Sequence, residues 1–296
     1  MIPDIAPTTF RAHRGDITAL AFSSDARTLV TGGSDKIVRL WQVDTWSCIG
    51  EFVGHTSGVI DIGINRADTR MVTASSDKSA IVWSFPEGAL LNRLEGHGRG
   101  VISVDISSDS AYVVTASYDD TVRLWSMPTG ELLHAVSGNL RWVGAARFVP
   151  GRNALVTAGF SGLVGVWSVP DLEVRYTFDA HELVSFPPRV TEDGEYLLSS
   201  GMEQRIVMWS TQTWSMEREI EIPCGGSAAM AVSPYDNRIA IVCGKRLHLL
   251  EPDGTPLREI ELPTRRIRKL AFSQDGEWLA LAARRGSVLL YPVLTE

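Results

Sequence analysis

Three residue sets in this chain have the types that hydrolytic chemistry uses: His13 with Thr31 and Asp35, His55 with Thr73 and Asp77, and His97 with Thr115 and Asp119. A hydroxyl, an imidazole and a carboxylate can together activate an oxygen nucleophile, the imidazole acting as base and the carboxylate orienting it. The spacing argues otherwise. Each set is displaced by 42 residues from the one before, and each histidine is followed 28 residues later by a tryptophan, at Trp41, Trp83 and Trp125. A constellation that returns at a fixed period belongs to a stacked structural unit. We therefore read these residues as scaffold and assign no catalytic residue.

The period extends beyond the three sets. Trp167 and Trp209 continue the series at the same interval, His181 precedes Trp209 by 28, and Asn139 fills the histidine slot before Trp167. Seven periods of 42 account for 294 of the 296 residues, which leaves almost nothing for a second domain. In the first period, ITALAF (17–22) is an apolar run closed by a turn from Ser23 to Arg27. TLVTGG (28–33) follows, then the turn Ser34-Asp35-Lys36, then IVRLW (37–41), and a hairpin through Asp44 and Thr45 leads to the more polar SCIGEF (47–52). Short β runs about 8–12 residues apart indicate an all-β sandwich, barrel or propeller. The fixed period selects the propeller, with four strands per blade.

A Gly-His or Ala-His pair, an SDK-type turn and a closing VRLW resemble the WD-repeat β-propellers, and the resemblance covers the whole chain. One departure is that each Trp is followed by Gln42, Ser84, Ser126, Ser168 or Ser210 and never by Asp. The resemblance implies an all-β fold: a seven-bladed β-propeller of four-stranded antiparallel blades, a single domain over residues 1–296. It also implies closure by the N-terminal strand, with TTFRAH (8–13) completing the blade that SVLLYPV (287–293) belongs to. In such blades the His, Ser/Thr, Asp and Trp form a buried hydrogen-bonded chain. The chemistry suits it, since indole N–H only donates, a hydroxyl relays, and neutral imidazole offers one donor and one acceptor. The implied networks are His13, Thr31, Asp35, Trp41; His55, Thr73, Asp77, Trp83; and His97, Thr115, Asp119, Trp125. From blade four the series decays: Asn139, Thr157, Ser161, Trp167, then His181, Ser199, Glu203, Trp209. Blades six (Pro223, Ile241, Leu249) and seven (Pro263, Leu281, Arg285, Tyr291) have lost it, so apolar packing must hold them.

Composition excludes several functions. Cys48, Cys224 and Cys243 form no CxxC pair, which argues against a disulfide framework and a zinc site, and only His134 and His248 fall outside the repeat slots. No metal or cofactor is expected. No apolar run approaches the roughly 18 residues that span a bilayer, and MIPDIAPTTF lacks the basic start and apolar centre of a signal peptide. The expected location is the cytoplasm, with the nucleus left open. A net charge of −7 disfavours general binding to nucleic acid or membrane. The charge is uneven, however: residues 223–296 hold ten Lys/Arg against eight Asp/Glu, so residues 1–222 carry −9.

The resemblance also implies where partners bind, on the face around the channel mouth. Carried over residue by residue, its positions give an apolar crescent of Ile102, Tyr118, Trp142, Phe160, Val184, Phe186 and Met202 over blades three to five. They also give Arg266, Arg268 and Arg284 on blade seven, with Arg265 and Lys269 beside them. Aromatic, Met and Arg residues are what interface centres are made of. The bland alternatives are a crescent covered by loops or plugging the channel, and arginines forming a solvated edge. The leading function is a non-catalytic scaffold or adaptor that binds a protein or peptide segment, within a larger assembly, through apolar anchors and acidic or phosphorylated groups. An enzymatic or small-molecule propeller is the alternative, although only Asp16 offers a carboxylate at the mouth. A third reading is phosphate or nucleic-acid recognition by blade seven.

Overall fold

The computed structural model describes residues 6–137, 143–159, 161–182, 187–201, 203–222 and 229–293. They form seven four-stranded antiparallel sheets, set as blades in a ring. Labelling the strands a to d outward from the centre, blade one consists of Ile17–Phe22, Thr28–Gly33, Ile37–Gln42 and Cys48–Val53. Its burial explains the composition of the runs. Strand b is buried almost end to end, whereas strand d alternates or is exposed, since only one of its faces meets protein. Among the described residues there is no α-helix, and the one helical element is a 3₁₀ turn at Arg284–Gly286.

Each blade buries its apolar faces against its neighbours, and seven separate clusters fill the seven junctions. Val38, Leu40 and Phe52 of blade one meet Val59, Met71 and Trp83 of blade two, and equivalent clusters follow around the ring to blades six and seven. The last junction joins blade seven to blade one, with Ala280, Val288 and Leu290 against Ile17, Leu29 and Trp41.

That closing blade is built from both ends of the chain. Thr8–Arg11 pairs with Ser287–Pro292, in the register Thr8 opposite Leu290 and Arg11 opposite Ser287, and supplies the outer strand. Ala12 and His13 also donate backbone N–H groups to the Gly286 carbonyl, at 2.7 and 3.1 Å. The edge of blade seven is thereby satisfied. Phe10 fastens the joint, with ring centroids 4.6 Å from Trp41 and 6.1 Å from Trp46, which in turn meets Trp278 edge-on at 5.3 Å. Trp46 and Trp278 are thus partly buried packing residues, and Trp214 likewise rests on Tyr176.

Cys48 is exposed and free, whereas Cys243 is disulfide-bonded. Spacing along the chain gave no sign of that bond, because a disulfide requires proximity in space and not in sequence.

Removing residues 1–12 takes away the outer strand of blade seven and should lower the melting temperature of the whole ring. Phe10→Ala is expected to cost about 2 kcal/mol in urea denaturation, below the roughly 3–5 of a wholly buried phenylalanine because Phe10 is only half-buried. An unchanged midpoint in either variant contradicts closure through this strand.

Candidate interaction face and the networks beneath it

In blade two, Trp83 Nε1 donates to Thr73 Oγ1 (2.9 Å), the threonine lies 2.8 Å from His55 Nε2, and His55 Nδ1 lies 2.9 Å from Asp77. Because an ionised carboxylate can only accept, the Nδ1 proton of the neutral ring points at Asp77, Nε2 is left as the acceptor, and the threonine hydroxyl donates to it. Blade three repeats these contacts at 2.8, 2.7 and 3.0 Å. Blade one has them at 2.9, 2.7 and 2.8 Å. Asp77 also accepts from Ser79 and from the Thr56 backbone, so the chain ends by fixing the loop that leads into strand a.

Blade five departs from the expected decay. Trp209 donates to Ser199 (2.8 Å), Ser199 meets His181 Nε2 (2.9 Å), and Glu203 takes the aspartate's place on Nδ1 (3.1 Å). The longer side chain reaches the same ring and still accepts from the Glu182 backbone at 2.6 Å. Residue identity alone suggested loss, but the hydrogen-bonding capacity is unchanged. In blade four Trp167 still donates to Thr157 at 2.7 Å, while Asn139 lies outside the described residues. Blades six and seven put Ile241 and Leu281 at the hydroxyl slot, both wholly buried.

Above these networks strand a carries a feature that the sequence did not disclose. In blades one, two, three, four and seven its pairing skips one residue, at Thr18, Ile60, Ile102, Gly144 and Arg268. A β-bulge re-aims the side chain of the extra residue out of the sheet. These are positions at which the channel-mouth site was sought. Thr18 uses its bulge to donate to the Val59 carbonyl of the next blade. Ile102 is half-buried and Tyr118 is 57 % exposed. Trp142, Phe160, Val184, Phe186 and Met202 lie outside the described residues.

The basic patch is brought together on blade seven. Arg284 N donates to the Arg266 carbonyl at 3.1 Å, which holds their two loops side by side. Arg265, Arg266, Arg268, Arg284 and Arg285 are all exposed. Asp16 of blade one reaches across to Arg268 at 3.0 Å and accepts the Arg285 N–H at 3.0 Å. That N–H, with Arg268 and Arg284, holds the Asp16 carboxyl below its usual range. Lys269 is not part of this patch, because it points into the channel and pairs with Asp61 at 3.2 Å. Among the described residues no group of three or more His, Cys, Asp or Glu could hold a metal ion. No helix there is long and apolar enough to cross a membrane.

The WD40 family (WD domain, G-beta repeat) matches residues 6–42, 46–84 and 88–126, which are the first three periods. The match covers those three blades, and the other four share their architecture. The chain is a seven-bladed β-propeller that carries WD repeats. Among curated proteins it is 41 % identical over 51 residues to mitochondrial division protein 1 of Chaetomium globosum, covering 17 % of this chain and 8 % of that protein. It is 36 % identical over 62 residues to transducin beta-like protein 3 of Rattus norvegicus, covering 21 % and 8 %. A further match is F-box/WD repeat-containing protein 10 of Mus musculus, 36 % over 62 residues, covering 20 % and 6 %. The chain therefore matches less than a tenth of each relative's length, a stretch of repeat. For this WD-repeat propeller the matches support a general role as a protein-interaction scaffold.

The network histidines of this propeller are neutral near pH 7. Burial pushes His13, His55, His97 and His181 below the ordinary histidine value and outweighs the carboxylate beside each. Asp77 and Asp119 go the other way: although burial opposes it, hydrogen bonds from Ser79 or Thr121 and from the His-loop backbone hold them at about 2.

Both shifts make acid destabilising. The unfolded chain takes up protons at its histidines first, so the melting temperature should begin to fall below about pH 6.5. It should fall further below about pH 4, where the unfolded aspartates bind protons that the folded ones refuse. A melting temperature flat from about pH 8 to 4 contradicts this account. Thr73→Val strands the indole donor and the imidazole acceptor together, and should cost about 2–4 kcal/mol in urea. A loss below about 1 kcal/mol would mean that the relay contributes little beyond packing.

Proposed function

We propose that residues 1–296 form one propeller domain that acts as a non-catalytic interaction scaffold and holds a partner segment across the bulged face. The partner offers apolar anchors to blades three to five and acidic or phosphorylated groups to blade seven. The observation that carries this reading is the group of five exposed arginines, with Asp16 as the carboxylate set among them. Surface arginines usually pair at little gain, but five on adjoining loops leave most of their forks free to bind oxyanions bidentately. Tyr118, exposed on the same face, supplies the amphipathic anchor that interface centres favour. The recurring His-Thr-Asp sets support a non-catalytic role, since each is consumed by a tryptophan and by its own loop.

The test is affinity capture with the whole chain, comparing wild type with Tyr118→Ala and with Arg266→Glu/Arg284→Glu. Loss of the same captured protein in both variants, with melting temperature unchanged, is the expected result. Binding to the arginine variant should weaken by about tenfold or more, and added salt should weaken the wild-type interaction. If neither variant alters what is captured, partners use another surface.

A further inference from the structure

Two rings of side chains line the channel, one from each of two alternate positions of strand a. One ring holds Asp61 of blade two and Lys269 of blade seven. The other holds Asp105, Arg147 and Arg189, spaced 42 residues apart on blades three, four and five. All five line a cavity of about 330 Å³, at the small end of the roughly 300–1,000 Å³ typical of ligand sites. The cavity extends to Ser24, Glu192 and Gln274, in the turns after strand a. It lies at the opposite end of those strands from the bulges, and so is separate from the face proposed for partners.

Three cations and three carboxylates line this cavity, but they are not evenly paired. Asp61 is consumed by Arg147 at 2.8 Å and Lys269 at 3.2 Å, and accepts Val104 N as well. Arg147 is held by that carboxylate through Nη2, and by Ser103 Oγ and the Val104 and Ala146 carbonyls through Nη1. Asp105 turns to the Phe148 and Ile106 backbone N–H groups, and burial pushes its carboxyl up. Arg189 has only one contact, from Nε to the Met230 carbonyl at 3.3 Å, and its two Nη groups have no acceptor among the described residues. Glu192, at the rim, lies 3.7 Å from Arg66. Asp61 thus holds two of the cations, Asp105 and Glu192 are engaged elsewhere, and the planar fork of Arg189 lines the cavity without a carboxylate of its own.

We propose that the channel binds a small oxyanion, a carboxylate or phosphate group, on the Arg189 guanidinium, with Lys269 and Arg147 supplying the surrounding positive field. A guanidinium matches such a group bidentately. In a recessed, partly desolvated cleft such a charge-assisted pair is stronger than at an open surface. A ligand held there also links blade five to blades four and seven, and the ring should melt higher when the site is filled.

The test is isothermal titration calorimetry on the full chain, with inorganic phosphate and with succinate as separate probes. Saturable binding of either is expected, and the probe that binds tells which oxyanion the site takes. Arg189→Gln, which breaks no ion pair, should weaken it about ten- to hundredfold. Arg266→Glu/Arg284→Glu, at the other end of the channel, should leave it unchanged. Ala231→Asp places a carboxylate at the equivalent position of blade six and should abolish binding even if Arg189→Gln folds poorly. Binding of neither probe overturns the proposal, and so does equal affinity in wild type and Arg189→Gln.

Discussion

The indole of strand c is the constraint on which the rest of the ring depends, because it is used twice. Its N–H ends the hydrogen-bonded chain inside its own blade, as Trp83 does on Thr73. Its ring packs on strand d of the preceding blade: Trp41 on Phe10, Trp83 on Phe52, Trp209 on Phe178. Leu94 and Val136 hold the same position against Trp125 and Trp167. One side chain therefore fixes both the fold of a blade and its angle to the last one. A hydrogen bond alone would not set that angle, and packing alone would not orient the loop that the aspartate holds.

Where the indole is lost, the junction survives by substitution. Tyr291 stands in the tryptophan slot of blade seven and packs beside Ile260, the strand-d residue of blade six. Hydrophobic burial needs only area and shape, so the junction tolerates the exchange. The loop-holding half of the device does not: blade seven keeps only the backbone bond from Arg284 to Arg266 that blades one to three also make, and gains a contact from Asp16 of blade one to the Arg285 N–H. Of the two blades that have lost the network, blade seven displays the arginines, with Arg285 itself in the slot of the loop-holding aspartate.

The two ends of the channel then have different chemistry from a single strand design. At one end the bulge of strand a turns a residue out toward the mouth, apolar at Ile102 and basic at Arg268. Farther along the same strands, alternate residues face inward and bring charges from five blades within reach of one another. The ring scaffold leaves both sets of positions free to vary, because neither takes part in the indole packing or in the His-Thr-Asp relay.

Blade number and strand order were legible in the sequence, because a period of 42 marked by a tryptophan in five of the seven units states them, and the closing strand followed from the family resemblance. The relay residues of blades one to three were legible for the same reason. Blade five was not, since Ser199 and Glu203 differ in name from Thr and Asp while offering the same donors and acceptors in space. The bulges left no trace in residue type, being a matter of register between two strands. The channel cluster did leave one, in Asp105, Arg147 and Arg189 a period apart, but a charge in strand a reads as a solvated face until the ring closes. Periodic local constraints are written along the chain and can be counted there. Which charges from blades two, four and seven meet across an axis is decided only when seven wedges complete the circle.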